Sequence, residues 1–189
     1  MEKGGLAANL SRAGIRRSQS WAQADEMRIG LHGQVRQVWA PRGVKVRQKR
    51  QIVYCWEYLA LAVDGINGKL RWAWLPNMKK ETIAELVAEW KKEGVAALVW
   101  DGNGSHKAHI VRQVGMPLIS LPPYSPELNP AERVIEAVRA KIEGHVYDSL
   151  EDKKARAEAF LRELAACPDR VQSLAGWDWI RSADGELPD

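Results

Sequence analysis

The chain has 189 residues, 46% of them apolar and 28% charged, the composition of one folded domain with room for a full hydrophobic core. Its formal charge of +4 leans toward anionic partners. No apolar run is long enough to span a bilayer, residues 1–20 lack the apolar stretch of a secretory leader, and two distant cysteines, Cys55 and Cys167, make neither a metal-ligand spacing nor a disulfide framework, which fits a reducing cytoplasm.

Residues 1–20 are small, basic and irregular. Lys3, Arg12, Arg16 and Arg17 are set against Glu2 alone. They read as a frayed arm or linker, with a basic arm lying along DNA as the alternative. Trp21 to Leu31 contains the first predicted strand and the pair Asp25-Glu26. Strand side chains alternate, so these two carboxyls are expected on opposite faces. Residues 32–43 connect. Arg36, Arg42, Lys45, Arg47, Lys49 and Arg50 then fall within fifteen residues that hold no acid. Such a cluster contacts phosphate without reading bases; a solvated face is the plainer alternative. Val44 to Val63 reads as a basic lead into a long strand. Asp64-Gly65-Ile66-Asn67-Gly68 is a hairpin turn, with Asp64 a turn residue, and Leu70 to Leu75 is the returning strand.

Met78 to Glu93 has the spacing of an amphipathic helix, with Ile83, Leu86, Val87 and Trp90 on one face and Gly94 ending it. The unbroken apolar run Val95–Trp100 fits a strand buried on both sides. Asp101 stands at its C-terminal end, where open α/β sheets place ligands; a turn or cap role is the alternative. Ser105 is expected to cap a short helix running to Val114, and Met116 to Leu121 to form the next strand. The proline-rich LPPYSPELNP then leads into a helix, with Asn129 as its cap and Pro130 at the first position. Glu132 falls in the first turn, either as a carboxylate held at a fixed place or as the return half of a capping box. Val134, Ile135, Val138 and Ile142 make the buried stripe, and Gly144 closes the helix. Ser149 can cap a last helix to about Ala166 that packs through Leu150, Ala157, Leu161 and Leu164. The tail, with Trp177 and Trp179, reads as an acidic, mobile stretch. His106 and His109 have no cysteine near them, which argues against a zinc pair. Nine tryptophans against one phenylalanine are read mostly as core anchors; an exposed one could stack on a base.

Three segments together resemble one family. Asp101-Gly102-Asn103-Gly104-Ser105-His106, the longer Pro122-Pro123-Tyr124-Ser125-Pro126-Glu127-Leu128-Asn129-Pro130-Ala131-Glu132, and Trp39-Ala40-Pro41-Arg42-Gly43 are similar to segments of the DDE endonuclease domain of bacterial insertion-sequence transposases in the mariner superfamily. The resemblance implies an α/β fold of the RNase H type, a mixed sheet of three antiparallel strands and then two parallel ones, flanked by helices. Its first and fourth strands would be neighbours. It divides the chain into a basic arm or linker (1–20), a catalytic core (21–145) and a C-terminal helix and tail (146–189).

The same resemblance implies that Asp25, Asp101 and Glu132 are the catalytic acids and the ligands of Mg²⁺ or Mn²⁺, two ions in all. His106 and Lys107 would touch phosphate or order the site. The implied partners are transposon-end and target DNA, a second copy of the chain in a dimer or higher oligomer, and no membrane. The implied setting is the bacterial cytoplasm, at the nucleoid. Too few residues precede the first strand for a helix-turn-helix module, so a separate polypeptide is expected to read the transposon ends. The expected reaction is metal-dependent strand cleavage and 3′-hydroxyl strand transfer. A DNA-binding remnant without turnover, or a nuclease that cleaves without joining, are the alternatives.

Overall fold

The computed structural model describes residues 5–33, 39–47, 51–122 and 125–189. Arg36, Lys49 and Arg50 of the basic cluster, and Pro123 and Tyr124 of the proline-rich segment, lie outside them. In chain order the elements are α1 (Gly5–Arg12), β1 (Trp21–Gly30), β2 (Trp56–Asp64), β3 (Lys69–Leu75), α2 (Lys80–Lys92), β4 (Ala97–Trp100), α3 (His109–Gln113), β5 (Leu118–Ser120), α4 (Ala131–Ile142), α5 (Leu150–Ala165), α6 (Pro168–Ala175) and α7 (Asp178–Gly185). One sheet runs β3-β2-β1-β4-β5. β1 and β2 pair antiparallel, as do β2 and β3, while β1–β4 and β4–β5 are parallel. This is the RNase H-like mixed sheet expected from the sequence, with the first and fourth strands side by side.

The period of two along the strands decides what covers each face. Ala22, Ala24, Ala60, Ala62, Leu98 and Trp100 look toward α2 and α3, where they meet Ile83, Leu86, Val87, Trp90 and Val111. The alternate residues of β1 and β2, Met27, Ile29, Leu59, Leu61 and Val63, meet the stripes of α4 and α5, including Val134, Val138, Leu161 and Leu164. The alternate residues of β4, Ala97 and Val99, join Trp21 and Ile119 under Leu6, Leu10 and Ile180 of α1 and α7. The helical cover of this second face is therefore in two parts. Asp25 lies on β1 between Trp21, under one part, and Met27, under the other.

Several boundaries differ from those expected. Residues 1–20 are not a frayed arm throughout: Leu6, Leu10 and Ile15 are buried, and α1 packs on α7. The tail is likewise built in, with Val171, Ala175, Ile180 and Leu187 all buried. Trp21 donates its indole N–H to Asp184 at 3.0 Å. The strand expected after the basic lead runs from Trp56 to Asp64; before it the backbone makes only isolated bonds, from the Leu31 N–H to the Cys55 carbonyl and from the Gly33 N–H to the Gln51 carbonyl. Ser105 caps no helix: its hydroxyl donates to the Met78 carbonyl at 2.9 Å, and α3 begins only at His109 behind Ala108.

Other readings hold. Asp64 organises the hairpin turn, accepting from the backbone N–H groups of Ile66 and Asn67 at 3.1 and 2.8 Å. Ser149 and Asp152 form a reciprocal capping box on α5. Among the described residues, no helix is long and apolar enough to cross a membrane.

Candidate active site

A cleft of about 970 Å³ opens at the divided face of the sheet. Asp25, Asp101 and Glu132 all line it, with Asn103, Lys107, Ser120, Ser125 and Asn129. The three acids come from three elements. Asp25 is the fifth residue of β1, opposite Leu61 on β2. Asp101 follows directly on β4. Glu132 is in the first turn of α4, the end where a helix favours negative charge.

The start of α4 is fixed by a buried side chain. Asn129 donates from Nδ2 to the Ala24 carbonyl at 3.1 Å and accepts from the Ala131 N–H at 3.2 Å. Pro130 follows it in helical conformation as the capping residue, with no side-chain cap of its own. The expected cap is thus displaced by one residue. Asn129 ties the helix start to the strand residue next to Asp25, which sets the position of Glu132 relative to β1.

Electrostatics separate the acids. Burial raises the Asp25 carboxyl to about 7. The Glu26 backbone N–H, 2.8 Å from Oδ1, works against the rise. The charges of Glu26, Glu132 and Asp101 add to it. Asp101 is held below the usual carboxylate range, chiefly by His106, and its burial opposes this. Burial also raises Glu26, while His106 pulls it down. As the strand alternation predicts, Glu26 meets Trp100 and His106 and not the cleft.

His106, expected to touch phosphate or to order the site, lies buried between two carboxylates. Its side chain is 3% exposed, with Nδ1 2.7 Å from Asp101 Oδ1 and Nε2 3.3 Å from Glu26 Oε1. The imidazole stacks on Trp100, ring centroids 3.9 Å apart. Burial works against its charge, yet the two carboxylates outweigh burial and hold the ring's pKa at about 9. A ring so enclosed faces the two carboxylates and not solvent. Lys107, by contrast, lines the cleft.

The cleft also has a wall that the sequence did not disclose. Asn9 and Arg12 of α1 also line it, and Arg12 donates to Asn9 Oδ1 at 3.0 Å. No motif marks them; only the docking of α1 on α7 brings them there. Of the basic cluster, the described members Arg42, Lys45 and Arg47 are exposed on a segment without regular structure.

The donor chemistry fits a hard divalent cation. All three candidate ligands are carboxylates, and Asp25, raised chiefly by burial and further by the charges of Glu26, Glu132 and Asp101, is an acid that a cation would help to ionise. Among the described residues, no three His, Cys, Asp or Glu side chains are gathered tightly enough to hold an ion by themselves. Mg²⁺ asks for less, since it usually takes one or two carboxylates and fills its remaining positions with water and substrate phosphate.

Comparison with known proteins agrees with this geometry. No curated protein matches the chain. The Mos1 transposase in its paired-end complex with the left transposon end superposes with a TM-score of 0.61 at 14% identity, over 97% of this chain and 60% of that one. The chain thus spans about three fifths of that transposase. The Mos1 catalytic domain with raltegravir and Mg gives 0.57 at 13% identity, over 95% of this chain and 90% of that one. These likenesses establish a shared fold. Residues 22–154, which run from β1 into α5 and carry all three acids, match the DDE superfamily endonuclease family, and the chain belongs to it.

Proposed function

We propose that the chain is the catalytic domain of a mariner-type transposase, cutting DNA strands at transposon ends and joining the freed 3′-hydroxyls to target DNA. The observation that carries this reading is the convergence of Asp25, Asp101 and Glu132 on one cleft in a member of the DDE endonuclease family. Relatives of the same fold were crystallised with transposon ends, with Mn and with Mg, which supports DNA as substrate and a divalent cation as cofactor. The proposed catalytic unit is residues 21–145, extended by the helices that cover it.

Asp25, Asp101 and Glu132 would hold Mg²⁺ or Mn²⁺, two ions in the full site. When bound, such ions polarise the scissile phosphate and lower the pKa of an attacking water or hydroxyl. The protein's own part is placement. Asp25 gives up its proton near neutrality, when a cation offsets the neighbouring carboxylates. Asp101 arrives already ionised beside His106. Glu132 is held at the start of a helix that Asn129 anchors to β1. Lys107 and Arg12 bring positive charge to the same cleft and suit the DNA backbone there. No side chain has to act as a covalent nucleophile, because water or a 3′-hydroxyl attacks in line.

The test is nicking of supercoiled plasmid with Mn²⁺ or Mg²⁺, followed by a 3′-end joining assay. Asp101→Asn keeps the side-chain shape and removes the charge; it is expected to lower cleavage by at least a thousandfold with the fold intact. Cleavage without joining would leave a simple nuclease. DNA binding without any metal-dependent cleavage would leave a binding remnant.

Arg42, Lys45 and Arg47 are proposed to meet backbone phosphates, together with Arg36, Lys49 and Arg50. Removing one cation from a phosphate lowers the slope of log K against log salt by about 1. The double variant Lys45→Ala, Arg47→Ala should therefore bind unrelated duplexes more weakly and to a similar extent, with a slope shallower by about 2. An unchanged slope would make this segment an ordinary solvated face. Because phosphate contacts carry no sequence information, recognition of specific ends is proposed to fall to a helix-turn-helix module outside residues 1–189, and a dimer or larger assembly would hold two ends together.

A further inference from the structure

Glu26 is the least expected charge in the protein. Its side chain is 8% exposed, on the sheet face that α2 and Trp100 otherwise fill with apolar groups. A buried carboxylate is costly to keep unless it is paired. Its partner is His106, and His106 in turn meets Asp101.

Resting on the DDE reading above, we infer that Glu26 and His106 are a positioning pair that holds the Asp101 carboxylate in register with Asp25 for cation binding. The chain of contacts is continuous. Glu26 follows Asp25 on β1, its Oε1 lies 3.3 Å from His106 Nε2, and His106 Nδ1 lies 2.7 Å from Asp101 Oδ1. The Asn103 N–H donates to that same Oδ1 at 3.1 Å. Both contacts fall on one oxygen, which leaves Oδ2 as the oxygen for a cation. The ring itself cannot swing: it lies on the indole of Trp100 at 3.9 Å and 20° between planes. Trp100 is 1% exposed and is backed in turn by Trp90.

The physical need for such a brace is plain. Once Asp25 has given up its proton, it and Asp101 carry like charge at neighbouring places on adjacent strands, and without a cation they repel. Asp101 has left the ladder at the end of β4, so backbone pairing does not hold it there. The imidazole supplies that hold by tying Asp101 to the residue adjoining Asp25. Partners of this kind, which orient a ligating carboxylate without touching the metal, typically contribute 10–100-fold in metal affinity.

The experiment is Mn²⁺ titration of the full chain without DNA, by calorimetry, for the parent protein, His106→Ala, His106→Asn, Glu26→Gln and Asp101→Asn. His106→Ala should weaken Mn²⁺ binding by about 10–100-fold and raise the Mn²⁺ concentration for half-maximal cleavage equally, with KM for DNA unchanged. His106→Asn, which returns a donor near the position of Nδ1, should recover most of the loss. Glu26→Gln should fall between. If His106→Ala does not fold, as judged by circular dichroism, the Asn and Gln variants carry the test. Mn²⁺ binding by His106→Ala at parental strength, while Asp101→Asn loses it, would overturn the positioning role alone. A parent protein that bound no Mn²⁺ would overturn the metal reading and the brace with it.

Discussion

Replacing Asp25 by Asn should abolish DNA cleavage and, at pH 8 without metal, make the protein more stable. The folded carboxyl keeps its proton up to about pH 7, against 3.8 for an aspartate in open solvent. As pH climbs through that interval, the unfolded chain releases its proton before the folded one does. Stability therefore falls between about pH 4 and pH 7, and the penalty is complete above 7. A rise of this size corresponds to about 4 kcal/mol at most. Asn has no charge to bury, and its side-chain oxygen can still accept from the Glu26 N–H. A gain on the order of 2–4 kcal/mol is expected at pH 8, roughly 5–10 °C in melting temperature for a chain of this size. At pH 4 the two proteins should melt together. Mg²⁺ or Mn²⁺ should raise the melting temperature of the parent by mass action and leave Asp25→Asn almost unmoved. Equal stabilities at pH 8, or a gain just as large at pH 4, would mean that Asp25 is not the strained acid of this site.

The second large effect concerns the C-terminal helices. A chain ended at Ala166 should not fold, even though all three candidate acids and the whole of the family match remain. Val171, Ala175, Ile180, Ala183 and Leu187 are each no more than 7% exposed. Burying Val, Ile or Leu contributes about 1.5–3 kcal/mol apiece, so these three alone stand near the whole stability of a typical domain, about 5–15 kcal/mol. The backbone fit is equally close. A Cβ on Gly65 would lie within 2.5 Å of the Ala175 carbonyl oxygen, and Gly68, at φ +66°, abuts Pro168. The hairpin between β2 and β3 is thus shaped to receive α6. Thermal melting followed by circular dichroism decides the matter: a cooperative transition of the shortened chain within a few degrees of the full one would show that these helices are an accessory.

What was legible in the sequence had a local cause. The α4 stripe, the hairpin around Asp64 and the Ser149 cap are written in spacing and turn chemistry, and each formed as read. The three acids were found through the proline-rich and Asp101 segments, since periodicity alone cannot tell a ligand from a cap. The missed parts have no local cause. α1, α6 and α7 are eight-residue helices, too short to persist alone. Cys167 and Trp177, at the starts of α6 and α7, provide no side-chain cap. α1 and α7 exist because Leu6, Leu10, Ile180 and Leu187 find one another over β4, and α6 because Val171 and Ala175 join the cluster of α4 and α5. The burial of His106 was illegible for a related reason: one of its partners, Glu26, lies on another strand, and the Asp101 segment shows only that a histidine is present.

The bond between Trp21 and Asp184 joins residues 163 positions apart, and it sets an order of events during synthesis. The β2–β3 hairpin can close as soon as it leaves the ribosome. β1 cannot complete its parallel edge until β4 has been made. The wall that α1 gives to the cleft must wait longer still, because its support is α7, near the C-terminal end of this segment. A nascent chain therefore carries its acids for many seconds at ordinary rates of elongation without a finished cleft around them. A chain ended before α7 would carry all three acids without the wall that Asn9 and Arg12 give the cleft.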